Sequence, residues 1–320
     1  MSRRLFAIAA LACAALGAQA QGYPVKPMRM VIPLPPGGAI DIVARTTGQV
    51  VAERFGQPMV FDNKPGANTI VATENCVNSA PDGYTICFIT SNMSLNQFLY
   101  AKLPYDYIKQ IDPVTTLVYP IEGLFIPGNL PVSNVKDLVE YSKSNPGKVF
   151  FGSLGTGGSP HLVPEWIARN TGANLTHIPY KGLPDLMRAF TAGDIQMMFL
   201  SLGNPNFIEN IKTGRMKALF FNGSRNSILP DVPTMAEAGV PDHGFKSWWG
   251  IGMPAGTPKD IIGKLHAGFI ESLKTPSVVQ RFGPLGLQIV GDTPEELARF
   301  MREDRVRAER LVKTSGARLD

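Results

Sequence analysis

The side chains and backbone groups able to do chemistry in this chain are mostly small hydroxyls and amides gathered around glycine. They concentrate in two stretches, Pro35-Pro36-Gly37-Gly38-Ala39-Ile40-Asp41 and Phe151-Gly152-Ser153-Leu154-Gly155-Thr156-Gly157-Gly158-Ser159-Pro160-His161. Each follows a short apolar run and leads into an amphipathic segment, which reads as strand, glycine turn, helix. Such a turn aims free backbone N–H groups and the positive end of a helix dipole at one point. Glycine lets a ligand approach the backbone there. One such turn is an ordinary connection, but two of them without nucleotide-binding spacing predict an anion held in a cleft between two lobes.

The candidate contacts follow from these turns and from the neighbouring strand ends. They are Pro36, Gly37 and Gly38 in the first turn, and Ser153, Thr156, Gly158, Ser159 and His161 in the second. Thr90-Ser91-Asn92 and Leu200-Ser201 end two other strands, which adds Ser91, Asn92 and Ser201, because open α/β sheets bind ligands beyond the carboxyl ends of their strands. Small hydroxyls and amides suit the acceptor-only oxygens of a carboxylate. Ser159 also suits the cap of the following helix, with Pro160 at its first position. His161 has a competing role as a packing histidine. Asp41 is a poor anion ligand, so its expected role is to organise the first loop by hydrogen bonding, paired with Arg45. Of the neighbouring Trp248 and Trp249, one should wall the cleft and the other pack in the core; Trp248 is taken as the wall.

Enzyme chemistry finds little support. There is no Gly-x-Ser-x-Gly elbow, no His-Glu-x-x-His and no Walker glycine–lysine loop. Gly155-Thr156-Gly157-Gly158 breaks the dinucleotide spacing, and His161, His177, His243 and His266 show no metal-ligand spacing. No metal and no cofactor is expected. Lys181, in Pro179-Tyr180-Lys181-Gly182, is the one candidate nucleophile, and an enzyme using Lys181 or His161 is kept only as an alternative.

The elements that must position these residues alternate along the chain. Helices are predicted over 41–55, 69–78, 135–144, 162–170, 183–192, 207–213, 259–273 and 294–313, with a short one over 232–238. Strands fall between them, which implies mostly parallel sheets flanked by helices. The chain crosses between lobes at Val114 to Phe125 and returns at Phe245 to Met253, giving residues 21–125 and 247–320 to one lobe and 126–246 to the other. Two crossings make a hinge suited to closing on a ligand. Residues 1–20 read as an export signal: Arg3 and Arg4, an apolar core from Leu5 to Leu16, and Ala18-Gln19-Ala20 for cleavage near Ala20. That core is short of the roughly 20 residues a membrane span needs, and the residues before Cys13 do not fit a lipoprotein. The chain is therefore expected in the periplasm. The formal charge of +5 falls to +3 without Arg3 and Arg4 and shows no blocks, so nucleic acid is not implied. Cys76 and Cys87 remain, either bridged or as buried thiols; spacing alone does not decide.

Further motifs extend along the chain: Tyr23-Pro24-x-Lys26-Pro27, Asn63-Lys64-Pro65-Gly66-Ala67, Pro81-Asp82-Gly83-Tyr84-Thr85, Asn145-Pro146-Gly147-Lys148, His177-Ile178-Pro179-Tyr180-Lys181-Gly182, Pro233-Thr234-Met235-x-Glu237-x-Gly239 and Pro254-Ala255-Gly256-Thr257-Pro258. With the two glycine turns, they resemble the Bug family, the extracytoplasmic receptors of tripartite tricarboxylate transporters. The resemblance implies a two-lobed periplasmic binding protein of type-2-like architecture, monomeric, with a small carboxylate in the cleft. A dicarboxylate or an aromatic acid is the candidate. It also implies that first-turn amides and ordered water hold one carboxylate, and that a membrane complex of one large and one small subunit receives the solute. A sensor subunit presenting its solute to a signalling partner would have the same lobes. One departure stands out: the family usually has more glycine after Pro-Gly-Ala, where this chain has Asn68-Thr69-Ile70-Val71.

Overall fold

A computed structural model describes residues 22–317 except Ser224, together with Leu319. The export segment expected over residues 1–20 lies outside the described residues. In chain order the elements are β1 (Met28–Ile32), α1 (Ala39–Phe55), β2 (Met59–Asn63), α2 (Ile70–Val77), β3 (Thr85–Thr90), α3 (Asn92–Leu99), α4 (Tyr107–Gln110), β4 (Ile111–Pro120), β5 (Glu122–Pro127), α5 (Val135–Ser144) and β6 (Phe150–Ser153). They continue with α6 (Ser159–Thr171), β7 (Thr176–Pro179), α7 (Leu183–Ala192), β8 (Met197–Ser201), α8 (Phe207–Lys212), β9 (Met216–Asn222), β10 (Trp249–Pro254), α9 (Lys259–Lys274), α10 (Pro276–Phe282), β11 (Leu287–Ile289) and α11 (Pro294–Ser315).

Two sheets result. The first has the order β11-β4-β10-β3-β1-β2 and the second β7-β6-β8-β5-β9. The architecture is a two-lobed α/β fold, and both sheets are mixed rather than mostly parallel. The strand–helix–strand units pair in parallel, as β1 does with β2 and β3, and β6 with β7 and β8. The strands around the crossings run against them: β10 is antiparallel to β3 and β4, and β5 to β8 and β9. A chain that leaves one sheet and returns later enters the neighbouring strands from the opposite end, which sets this direction.

Period-two alternation covers both faces of each sheet. On β5, Leu124 and Ile126 join one core with Phe151, Leu162 and Trp166, while Phe125 joins another with Phe190, Phe207 and Phe221. On β3, Ile86 and Phe88 face α1 and α9, whereas Cys87 and Ile89 face the other way. Cys76 of α2 and Cys87 of β3 are joined as a disulfide, with Cα atoms 5.9 Å apart.

The last helix joins the two halves in a way the two crossings do not. Leu297 and Met301 of α11 pack against the first sheet, and Ala308, Leu311 and Val312 pack in the core of the second. These residues form one stripe at helical spacing, so a single 22-residue helix supports both sheets. Its start is fixed by a capping box between Thr293 and Glu296. The short helix expected over 232–238 is instead a turn. Glu237 accepts there from the N–H and hydroxyl of Thr234, and the Pro233 carbonyl accepts from Phe221 N–H, so these groups serve the edge of β9 rather than a helix. Helices α3, α4 and α10 were not anticipated.

Candidate ligand site

Strand ends and helix starts from both sheets enclose a cavity of about 730 Å³. From the first sheet come Gly38, Ala39 and Ile40 at the start of α1, the loop 65–69, and Thr90, Ser91 and Asn92 after β3. From the second come the turn 154–156, Gly158, Ser159 and Pro160 at the start of α6, and Leu200, Ser201 and Asn204 after β8. Glu122, Ser247 and Trp249 enter from the crossings. Helix starts leave their first N–H groups without intrahelical partners and carry positive partial charge. Two of them therefore line one cavity.

Of the contacts expected from sequence, Gly38, Ser91, Asn92, Thr156, Gly158, Ser159 and Ser201 line this cavity. Pro36 lines a small recess beside it. Gly37, Ser153, His161 and Trp248 do not line it, and each has structural partners instead. Gly37 sits at φ +92°, and its N–H donates to Asp41 Oδ2 (3.1 Å). Asp41 also accepts from Arg45 Nε (2.9 Å) and Asn63 Nδ2 (3.1 Å), and Asn63 Nδ2 reaches the Leu34 carbonyl (2.8 Å). Burial pushes the Asp41 carboxyl up, but its bonds from Arg45, Gly37 and Asn63 outweigh this and hold it below the usual range. Asp41 thus fastens the first turn from behind.

The second turn is fastened similarly. Ser153 is fully buried, and its hydroxyl lies 2.6 Å from both the Gly155 carbonyl and His177 Nε2. His161 accepts from Gly157 N–H (3.2 Å) and stacks on His177 with ring centroids 4.0 Å apart. Desolvation keeps both imidazoles neutral, pulling His161 down to about 4 and His177 to about 3. These rings buttress the turn from the core side. Trp248, expected to wall the cleft, is fully buried on the far face, where its Nε1 donates to Asp304 Oδ2 (2.8 Å). Successive strand residues face opposite ways, so its neighbour Trp249 reaches the cavity instead.

The halves touch across the opening. Ala39 N–H at the start of α1 donates to Asn204 Oδ1 of the second half (3.2 Å). A Cβ at Gly157 would lie 2.8 Å from Asn68 Nδ2, and one at Gly158 3.3 Å from Asn92 Nδ2. Glycine is needed at Gly157, which also sits at φ +102°, and the fit at Gly158 is tight, because asparagines of the first half close over both. Asn68 belongs to a strained loop, in which Ala67, Asn68 and Thr69 all have positive φ, at 44°, 48° and 75°, whereas Asn92 starts α3. An amide network holds the conformation, with Asn68 Nδ2 donating to Asn96 Oδ1 (2.6 Å), Asn92 Nδ2 to Asn68 Oδ1 (2.8 Å) and Asn96 Nδ2 to the Asn68 carbonyl (2.8 Å).

Three features of the lining escaped the sequence reading. Thr69 and Thr90 belong to the lining, and their hydroxyls are the first feature: both are buried without a protein partner. Asn204 is the second. Glu122 is the third: it is 5% exposed and accepts from Ser159 Oγ (2.7 Å) and Ser247 Oγ (2.8 Å). Burial pushes its carboxyl up to about 7, against the lowering pull of the two serines. A lone acid inside the apolar run 121–126 was the available signal.

Known proteins share this fold. Protein BugT of Bordetella pertussis is 31% identical over 327 residues, covering 99% of this chain and 98% of BugT. The solved structure of periplasmic binding protein BugD has a TM-score of 0.86 at 29% identity, covering 92% of this chain and 99% of that one. Rpa4515 of R. palustris, solved with adipate, gives 0.85 at 28% identity, with 93% and 100% covered. MatC of Rhodopseudomonas palustris, solved with bound malate, gives 0.84 at 27% identity, with 91% and 100% covered. The family model described as tripartite tricarboxylate transporter family receptor matches residues 43–317. With that match across the fold and both glycine turns at one cavity, the chain belongs to the tripartite tricarboxylate transporter receptors, a family of periplasmic solute-binding proteins and not of enzymes.

Proposed function

We propose that this protein is a periplasmic receptor that encloses a small carboxylate between its lobes and delivers it to a membrane transporter of one large and one small subunit. The observation that carries the reading is the convergence of the α1 and α6 starts on one cavity whose lining also includes Ser91, Thr156 and Ser201. Among the described residues, Lys181 is the one basic residue in the lining, and it is exposed. Backbone amides and hydroxyls would therefore neutralise the anion, at about 0.3–1 kcal/mol per helix end when exposed and more when desolvated. The relatives solved with malate and adipate support a carboxylate as the common element.

The lobes are taken as the halves built on the two sheets, with the first crossing between β4 and β5 rather than at the expected residue 125, closing by hinge motion as a monomer. Asn204 on Ala39 and Asn68 over Gly157 would be the closing contacts. Residues 1–20 would direct export and be removed near Ala20. A thermal-shift screen over mono-, di- and tricarboxylates tests the reading, since a ligand that binds only the folded state raises its melting temperature. Shifts by neutral or cationic solutes with none by carboxylates would refute it.

A further inference from the structure

The proposed carboxylate site contains a carboxylate of its own. Glu122 starts β5, paired across the sheet with Ser201 and Asn222, and its side chain lines the cavity. Among the described residues, no lysine or arginine forms an ion pair with it. Its two partners are neutral hydroxyls, one on each oxygen: Ser159 on Oε1 and Ser247 on Oε2. A carboxylate has about four acceptor positions, so two hydroxyls leave about half of them for another donor. Taking a carboxylate out of water without a cationic partner costs several kcal/mol. A donor from the ligand, above all a charged one, is what this position lacks.

Its placement also determines what it rejects. Ser159 is the first residue of α6, after the N-cap Gly158. Glu122 therefore already occupies the neighbourhood of the α6 start, where the helix dipole would otherwise receive an anionic group. The α1 start has no such occupant inside the cavity, because Asp41 bonds to Gly37 and Arg45 from behind the turn. The two ends of the site thus differ in sign. Wherever Glu122 is ionised, a second ligand carboxylate brought to the α6 end would meet a like charge at close range in a desolvated cavity, where repulsion is far stronger than in water.

Resting on the carboxylate reading above, we infer that the cavity selects a monocarboxylate whose far end bears a nitrogen donor, an ammonium or an amide, docked on Glu122. Glu122 is then the residue that separates such compounds from dicarboxylates of equal length. The carboxylate end stays with the α1 start and the hydroxyls of Thr69, Thr90 and Ser91.

Calorimetric titration of matched probes tests this: succinate against 4-aminobutanoate and succinamate, and adipate against 6-aminohexanoate and adipamate. In the wild-type protein, a nitrogen-bearing probe should bind at least tenfold tighter than its matched dicarboxylate. Glu122→Gln keeps an acceptor for the serines but removes the charge, and it should erase or reverse that preference. Tighter binding of the dicarboxylate in the wild type overturns the inference without using the variant. So does a nitrogen preference that survives Glu122→Gln. Either result leaves the carboxylate receptor standing. If no carboxylate-bearing probe binds while uncharged diamides do, the receptor reading itself fails, and this inference with it.

Discussion

Thr90→Val separates the needs of the ligand from those of the fold. Thr90 ends β3 opposite Trp249, is 3% exposed, and its hydroxyl has no partner within the protein. Burying a hydroxyl without a hydrogen bond costs about 1–3 kcal/mol. Valine keeps the shape and the β-branched preference for a strand while removing that cost. The ligand-free variant should therefore be more stable, by about 1 kcal/mol or roughly 2–4 °C in melting temperature for a chain of this size. If the hydroxyl serves the ligand, the variant also loses one hydrogen bond in the complex. At about 1 kcal/mol this weakens binding roughly fivefold. Differential scanning calorimetry without ligand and titration calorimetry with the best carboxylate from the thermal-shift screen measure the two effects. The reasoning requires opposite signs. A variant that is less stable and binds equally well would show that the hydroxyl belongs to the fold and not to the site.

Further perturbations probe the parts that hold the cavity open and shaped. Asn96→Ala removes two bonds to Asn68; the loop 67–69 should relax from its positive φ values, with a stability loss of about 1–3 kcal/mol in denaturant melts and weaker ligand binding. Gly37→Val meets no steric obstacle but places a β-branched residue at φ +92°. It should cost about 1–3 kcal/mol and lower affinity at least tenfold, and unchanged affinity would remove the first turn from the site. Glu122 holds its proton to about 7 in the folded protein, against 4.5 for an ordinary glutamate. Between those values the folded state binds more protons, so this group's contribution is complete below 4.5 and is lost as pH rises towards 7. The melting temperature of Glu122→Gln relative to wild type should accordingly rise from pH 5 to pH 8. Replacing Cys76 and Cys87 by serine opens the bridge between positions 11 apart and should cost about 2–4 kcal/mol, read as a lower chemical-denaturation midpoint than that of the oxidised wild type.

The loop 67–69 places three non-glycine residues at positive φ. Glycine enters positive φ at no steric cost, whereas Asn68 and Thr69 do not. Asparagine is the milder of the two, and its amide supplies the bonds that hold the loop in place. Those bonds also bring Asn68 over Gly157. The larger residues shape the cavity wall as well as filling it.

Local patterns in the chain determined a good deal. Apolar runs next to glycine turns announced both strand–turn–helix units, and the apolar crossings implied two lobes, because side-chain period and turn chemistry are local properties. The same logic located seven lining residues at strand ends and helix starts. Tertiary packing decided the rest. Which tryptophan faces the cavity depended on strand register, since one residue's shift exchanges the faces. The duty of α11 to both cores needed the two sheets to be in place, as its stripe looks the same whichever surface it covers. Whether His161 meets the ligand or props the turn depended on His177, 16 positions later in the chain and stacked on it in space. Glu122 depended most on the fold: an acid in an apolar strand acquires a role only once two serines, 37 and 125 positions away, close around it. Contacts between residues far apart in the chain form only when the fold closes, so no local pattern records them.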